Sequence, residues 1–310
     1  MRSGFVTIIG RPNAGKSTLL NALVGSKLAI VTHKPQTTRN RVQGFLNLPP
    51  KKGRPAAQVI LIDTPGIHRP ETRLNDKMMR EVYEALEGSD LILMITDVSQ
   101  KSDAGDRYVL DLINKTKTPV FLILNKVDKI EKPKLLPEIE RWSQVHGFKE
   151  MIPISALKKD GLDDLLLAIV HALPEGPEYF PKNQITDQPE RFLASEIIRE
   201  QVLINTDQEV PYASTVVIER WEEEPKLTRV AAAIFCERDG QKGILIGKGG
   251  TKLKEIGTGA RLQMEKMLGK KVFLELFVKV HPGWRESKQF VDELDWRRQI
   301  ENMISTIPRE

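Results

Sequence analysis

Short apolar runs alternate with amphipathic stretches through the first half of the chain. Strand-like runs fall at about 4–9, 58–63, 91–96, 119–124 and 151–154. Helix-period segments lie between and after them at about 16–24, 75–88, 104–116, 134–146 and 161–172. Val59-Ile60-Leu61-Ile62 and Val120-Phe121-Leu122-Ile123-Leu124 are apolar without a break, the pattern of strands covered on both faces. This predicts an α/β domain over 1–173, a mostly parallel sheet with helices on both sides. Residues 42–48 add an edge strand before the basic, proline-bearing turn Pro49–Pro55.

After Leu173 the pattern changes. Pro174, Pro177, Pro181 and Pro189 mark an extended linker over 174–189. A helix over Arg191–Asn205 is followed by strand-like stretches Tyr212–Glu222 and Thr228–Arg238. A glycine-rich turn, a helix to about Met267 and a period-two strand over Val272–Val280 complete a second, α+β domain at 190–296. Ile300, Met303, Ile304 and Ile307 fall at helical spacing, so 297–310 is expected to be a helical tail. A length of 310 residues accommodates two such domains.

The chemistry sits where the strands end. Behind the first strand stands Gly-Arg-Pro-Asn-Ala-Gly-Lys-Ser, residues 10–17, a match to G-x-x-x-x-G-K-[ST] in its strand–loop–helix context. Backbone N–H groups from Gly10 through Asn13, Ala14 and Gly15, with the helix start Lys16-Ser17-Thr18, make a phosphate cradle. Lys16 supplies charge to the outer phosphates, and the Ser17 hydroxyl is a Mg²⁺ ligand. Asp63, at the tip of the 58–63 strand, can hold that metal through water, and the Gly66 N–H can meet a γ-phosphate. The run ending at Leu124 leads into Asn125-Lys126-Val127-Asp128. The Asp128 carboxylate matches the N1 and N2 donors of guanine, which adenine lacks. The backbone of Ser155-Ala156-Leu157 is placed to face guanine O6.

These motifs resemble the five G-motifs of the translation-factor-type GTPases, with Thr37-Thr38-Arg39 where that superfamily keeps its first switch. Gly-Arg-Pro-Asn-x-Gly-Lys-Ser, Gln-Thr-Thr-Arg and Asp-Thr-Pro-Gly together resemble, more closely, the Era family of bacterial ribosome-assembly GTPases, and the likeness runs over about 3–296. The order α-β-β-α-α-β, with Ile-Gly-x-x-Gly between its middle helices, resembles a KH domain of the bacterial type. The implied fold is thus a P-loop GTPase domain followed by a KH-type RNA-binding domain. The implied activity is slow hydrolysis of GTP to GDP and phosphate with Mg²⁺. The implied partners are the 3′ end of small-subunit ribosomal RNA and the small ribosomal subunit.

Asn13, Lys16, Thr38 and Gly66 are the candidate catalytic residues, and Ser17, Thr38 and Asp63 the candidate metal ligands. Thr38 is preferred over Thr37 as the switch residue. The position where related enzymes carry a water-orienting glutamine is Ile67, which cannot hydrogen-bond water. Two readings of Asn13 stand: it holds a K⁺ ion that offsets developing charge, or it only stabilises the loop turn. Arg39 and Arg69 are either arginine fingers in cis or solvated switch charges. For RNA, Gly247 and Gly250 let a helix-to-helix turn close on a sugar–phosphate backbone, with Ile246, Lys248, Gly249, Lys252 and Lys254 around it.

Charge supports that placement. The formal net charge is +5, but residues 238–281 carry ten Lys/Arg against four Asp/Glu, and residues 182–237 six against eleven. Cys236 is the lone cysteine, expected to be a buried side chain in a reducing compartment. The five histidines lack metal-ligand spacing, no signal peptide opens the chain, and no apolar run approaches a membrane span. The expectation is a cytoplasmic monomer. Peripheral association with the inner face of the cell membrane stays open, as does a protein-partner role for the second domain. A metabolic phosphotransferase is disfavoured by the guanine-reading tetrapeptide.

Overall fold

The computed structural model describes residues 1–67, 72–101 and 104–297, and its two compact units divide between Asp187 and Gln188. The first unit runs β1 (Arg2–Ile9), α1 (Lys16–Val24), β2 (Val42–Leu48), β3 (Ala57–Asp63), α2 (Arg73–Glu87) and β4 (Leu91–Asp97). It continues through α3 (Ala104–Ile113), β5 (Val120–Asn125), α4 (Leu135–Ser143), β6 (Glu150–Ile154) and α5 (Leu162–Ala172). The start of α2, through Lys77, clusters with the second unit. The sheet order is β2-β3-β1-β4-β5-β6, parallel throughout except for the antiparallel β2–β3 pair.

Uninterrupted apolar runs are strands here because both faces of the sheet are covered. Along β1, Ile8 joins a cluster with Leu19, Leu20, Leu165 and Ile169, whereas its neighbour Ile9 joins one with Met79, Val82, Val109 and Trp142. Each fully buried branched side chain of this kind contributes about 1.5–3 kcal/mol. The α3 helix stops at Ile113, short of the expected 116, where the Thr116 hydroxyl takes the Ile113 carbonyl at 2.9 Å.

The proline-bearing stretch after α5 is not a free tether. Gln58 is fully buried in β3, where its Oε1 accepts from the N–H groups of Tyr179 (2.6 Å) and Phe180 (3.0 Å). Its Nε2 donates to the Phe180 carbonyl at 2.7 Å, and the Phe180 ring stacks on Phe45. Phe45 N–H donates to Ile185 O at 2.8 Å, and Thr186 Oγ1 donates to Gln43 O at 2.6 Å. The stretch thereby covers β2, the edge strand, and satisfies backbone groups that would otherwise invite pairing.

The second unit contains α6 (Glu190–Asn205), α7 (Val210–Ala213), β7 (Thr215–Glu223), β8 (Leu227–Cys236), α8 (Asp239–Ile246), α9 (Thr251–Leu268), β9 (Lys271–Val280) and α10 (Lys288–Glu293). Its sheet is β7-β8-β9, antiparallel then parallel. Ile198 and Val202 of α6 and Ile256, Ala260 and Met264 of α9 pack with Val230, Ala232 and Ile234 of β8. Cys236 is buried in the same cluster. Two boundaries differ from the sequence expectation. Tyr212 and Ala213 belong to the one-turn α7, where Pro211 presets a helical φ, rather than to a strand. β8 ends at Cys236 because Arg238 becomes the N-cap of α8. Among the described residues no helix is long and apolar enough to cross a membrane. The expected tail, apart from Arg297, lies outside them.

Candidate functional site

β1, β3 and β5 deliver their carboxyl ends to one cavity of about 300 Å³, lined by the loop after β1, residues 30–38, Gly66 and the segments after β4, β5 and β6. Gly15 caps α1 with φ 106°, and no side chain caps the helix, so its first N–H groups face the cradle. A Cβ on Gly15 would lie 2.2 Å from Asn125 Nδ2, and one on Gly66 2.9 Å from Pro12 Cα. Glycine is required at both for close approach of backbone.

At the phosphate end, Lys16 is buried, with Nζ donating to the carbonyls of Gly10 (3.0 Å) and Arg11 (2.9 Å). Burial lowers its pKa to about 8, with the Asp63 carboxylate pulling the other way. Burial raises the Asp63 carboxyl to about 6, against Lys16 and the hydroxyls of Ser17 and Thr38. Each charge is thus held out of water at a cost that a phosphate beside the ammonium and a cation beside the carboxylate would relieve.

Ser17 Oγ donates to Asp63 Oδ2 at 2.6 Å and lies 2.8 Å from Thr38 Oγ1, which itself reaches Asp63 Oδ2 at 3.4 Å. The other Asp63 oxygen is buried without a hydrogen-bond partner. Two hydroxyls and a carboxylate with a spare lone-pair site are a hard-oxygen donor set that fits Mg²⁺. Thr37 is oriented elsewhere: its Oγ1 donates to Lys34 O and meets Thr32 Oγ1, both at 2.7 Å. Ile67 is 1% exposed in the core cluster around Val82, so nothing polar follows Gly66 at that position. Asn13 Nδ2 donates to His33 O at 2.7 Å, tying the phosphate loop to residues 30–38. Arg39 is buried rather than solvated, and Arg69 lies outside the described residues.

At the opposite end, the Asn125 amide ties two loops: Nδ2 donates to Ala14 O at 2.8 Å and Oδ1 accepts from Ala156 N–H at 3.0 Å. That bond turns the Ala156 N–H onto Asn125, whereas the sequence placed this backbone against the base. Asp128 is exposed on the cavity rim, because it rides on the 3₁₀ turn Val127–Lys129 beyond the end of β5. Ser155 Oγ donates to Asp128 Oδ1 at 2.6 Å and fixes the carboxylate there. Leu157 is exposed on the same rim, and Thr18 is half-buried at the start of α1.

Sequence reasoning missed Asp97. Lys126 Nζ pairs with Asp97 Oδ2 at 2.6 Å and donates to Asn13 O at 2.8 Å, which lays the lysine stem along the cavity. Burial pushes the Asp97 carboxyl up, but hydrogen bonds from Lys126 and Ser99 hold it below the usual range. Its signal was an Asp closing the apolar run of β4.

The second unit carries a separate candidate surface. Between α8 and α9 the chain turns through Gly247 (φ 73°), Gly249 (φ 62°) and Gly250 (φ 79°). A Cβ on Gly247 would sit 2.7 Å from Lys252 Cβ, so only glycine closes this turn. Ile246 is half-buried beside it, and Lys248 and Gly249 project outward. Much of the basic block is neutralised: Lys252 pairs with Glu255, Arg261 with Glu265, and Lys270 with Glu223. Lys248 and Lys254 make no ion pair among the described residues. A groove of about 390 Å³ begins at Gly250, with Leu253, Leu274 and Leu276 as apolar lining and Lys254 and Arg261 as cations. Gly257 keeps it open, since a Cβ there would come 3.3 Å from Leu276. Glycines at 257 and 259 inside a helix were the overlooked sequence signal.

Comparison with known proteins bears on both units. A protein-family profile described as "50S ribosome-binding GTPase" matches residues 5–126, and a KH-domain profile matches 209–285. GTPase Era of Ruminiclostridium cellulolyticum is 47% identical over 297 residues, covering 96% of this chain and 98% of that protein. GTPase Era of Syntrophus aciditrophicus is 48% identical, covering 95% of both. Among solved structures, a variant of Aquifex aeolicus Era bound to GDP·AlF₄⁻ superposes with a TM-score of 0.91 at 40% identity, over 96% of this chain and 99% of that one. Era in complex with MgGDPNP and nucleotides 1506–1542 of 16S ribosomal RNA gives the same score, identity and coverage. Identity of this order along nearly the whole length, with both domain profiles in sequence, shows that the chain belongs to the Era family of GTPases.

Proposed function

We propose that the cavity of the first unit binds GTP and GDP with Mg²⁺, and that the glycine turn and groove of the second unit bind single-stranded ribosomal RNA during small-subunit assembly. The observation that carries the nucleotide reading is the convergence of Ser17, Thr38 and the half-satisfied carboxylate of Asp63 beside the buried Lys16. Ser17, Thr38 and Asp63 would hold Mg²⁺, which supplies charge neutralisation for the phosphates when bound. Lys16 orients the outer phosphates, and the Gly66 N–H meets the γ-phosphate. Asp128, held by Ser155, reads guanine N1 and N2. Thr38 and Gly66 make contacts that exist only while the γ-phosphate is present, so hydrolysis releases residues 33–43 and the segment after Gly66.

Asn13 Oδ1 accepts no hydrogen bond among the described residues while the amide's other end holds His33 O. We assign that oxygen to K⁺, with hydrolysis faster in KCl than in NaCl at matched ionic strength; equal rates would remove the ion. For RNA, Lys248 and the adjacent N–H groups would grip the backbone while unstacked bases lie over Leu253, Leu274 and Leu276. The likeness to Era solved in complex with a 16S ribosomal RNA fragment supports this class of partner. Titration of the full chain with a labelled oligonucleotide of the small-subunit rRNA 3′ end, with and without a GTP analogue, tests it. The Lys248→Asp, Gly249→Asp variant should lose binding; a folded variant with full RNA affinity would return the second domain to a membrane or protein partner.

A further inference from the structure

Burial of Ile67 leaves the hydrolytic water without the usual side chain, and the cavity offers a short roster of replacements. Thr32 and Thr37 are spent on one another and on Lys34 O. Gln100 follows Asp97, whose carboxylate is taken by Lys126, and so stands toward the base end. His33 is exposed and gives its carbonyl to Asn13. Gln36 remains. It lines the cavity, is half-buried, and its carboxamide makes no hydrogen bond among the described residues.

Two further observations set Gln36 apart. It stands two residues before Thr38, at most about 7 Å along the chain, and Thr38 is fixed beside Ser17 and Asp63 at the phosphate end. Its backbone is left-handed, φ 57°, as is that of Asn13 at φ 61°. A non-glycine residue holds that conformation only at a cost, and such residues cluster at working sites.

We propose that Gln36 takes the place of the missing glutamine, its carboxamide oxygen accepting a hydrogen bond from the attacking water in line with the γ-phosphate. The water oxygen forms the new bond to phosphorus as the bond to the β–γ bridging oxygen breaks. The electron pair of that bond leaves with GDP, the water proton passes to a phosphate oxygen, and Gln36 returns unchanged. The inference rests on reading this cavity as the GTP site.

Three substitutions in the full chain separate amide from backbone: Gln36→Gly, Gln36→Asn and His33→Ala. Each is measured for single-turnover GTP hydrolysis, GDP affinity, GTP-analogue affinity and GDP·AlF₄⁻ affinity. Gln36→Gly keeps the left-handed backbone without strain, so its GDP and GTP-analogue affinities should stay within about threefold while hydrolysis falls about 10- to 100-fold, the scale of losing positioning at a reacting centre. Gln36→Asn keeps the amide on a shorter arm and should lie between, and GDP·AlF₄⁻ affinity should fall with the rate. Parental hydrolysis in Gln36→Gly overturns the proposal. So does a loss of hydrolysis confined to His33→Ala, or a Gln36→Gly loss explained by weaker nucleotide binding. A parental chain that binds neither GDP nor the analogue instead refutes the nucleotide reading beneath it.

Discussion

Gly66→Ala isolates the contact that distinguishes GTP from GDP. The backbone at Gly66 needs no glycine-only torsion, so the effect of a methyl group is steric. That Cβ would lie 2.9 Å from both Cα and Cγ of Pro12 and 3.0 Å from its nitrogen. Ordinary carbon contacts sit at about 3.5–4.0 Å, so the two loops must part by roughly 0.5–1 Å. The neighbouring bond from Ile67 N–H to Gly10 O, 3.1 Å long, resists that movement and stretches with it. The Gly66 N–H then withdraws from the γ-phosphate. A hydrogen bond to a charged group is worth about 1.5–3 kcal/mol, which corresponds to about 10- to 150-fold in affinity. GDP has no γ-phosphate and should bind as before. Calorimetric titration with GDP and with a non-hydrolysable GTP analogue measures both. Parallel losses for the two nucleotides, or no loss for either, would refute the assignment of this N–H.

Gly15→Ala should weaken GDP and GTP together, because its Cβ meets Asn125 Nδ2 at 2.2 Å and breaks the tie between cradle and base loop; thermal unfolding of the apo protein should fall as well. Asp63, raised to about 6, should make the Mg²⁺ requirement for GTP binding increase about tenfold at pH 5 relative to pH 7.5, since about one carboxylate in ten is then ionised. Its folded-state value lies above that of the unfolded chain, so the proton it binds favours the apo fold below pH 6, and that contribution is lost as pH rises through about 6. Lys16, lowered to about 8, has the opposite sign and gains the apo fold stability as pH rises from about 8 toward 10.5. The Asp63→Asn variant should show a flatter Mg²⁺ profile; an unchanged one would remove Asp63 from the metal. Asp128→Asn should shift preference toward xanthosine triphosphate in competition binding, and Ser155→Ala should weaken guanine selectivity by freeing the carboxylate.

Local signals were strongest where a backbone conformation admits few side chains or a strand is buried on both faces. The run Val59–Ile62 had one viable home, a covered strand, and Gly10 through Ser17 had one viable turn. Glycine positions at 247 and 250 announced the helix-to-helix turn for the same reason. Thr38 was preferred over Thr37 from the sequence, and the fold supplies the physical ground: the Thr38 hydroxyl meets Ser17 and Asp63, while that of Thr37 turns to Lys34. Asp97 was invisible as a partner of Lys126, since 29 residues separate them and the pairing exists only because β4 and β5 lie side by side.

The chain's periodicities and glycines therefore dictate a covered parallel sheet, a phosphate-binding turn and a second domain with a glycine hinge between helices, all set by torsions and burial over a few residues. Long-range packing alone settles that the Thr37 hydroxyl turns to Lys34, that Ile67 turns into the core, that 180–186 lies along β2, and which lysines stay unpaired. Those outcomes depend on distances between residues far apart in sequence, and no local pattern encodes a distance of that kind.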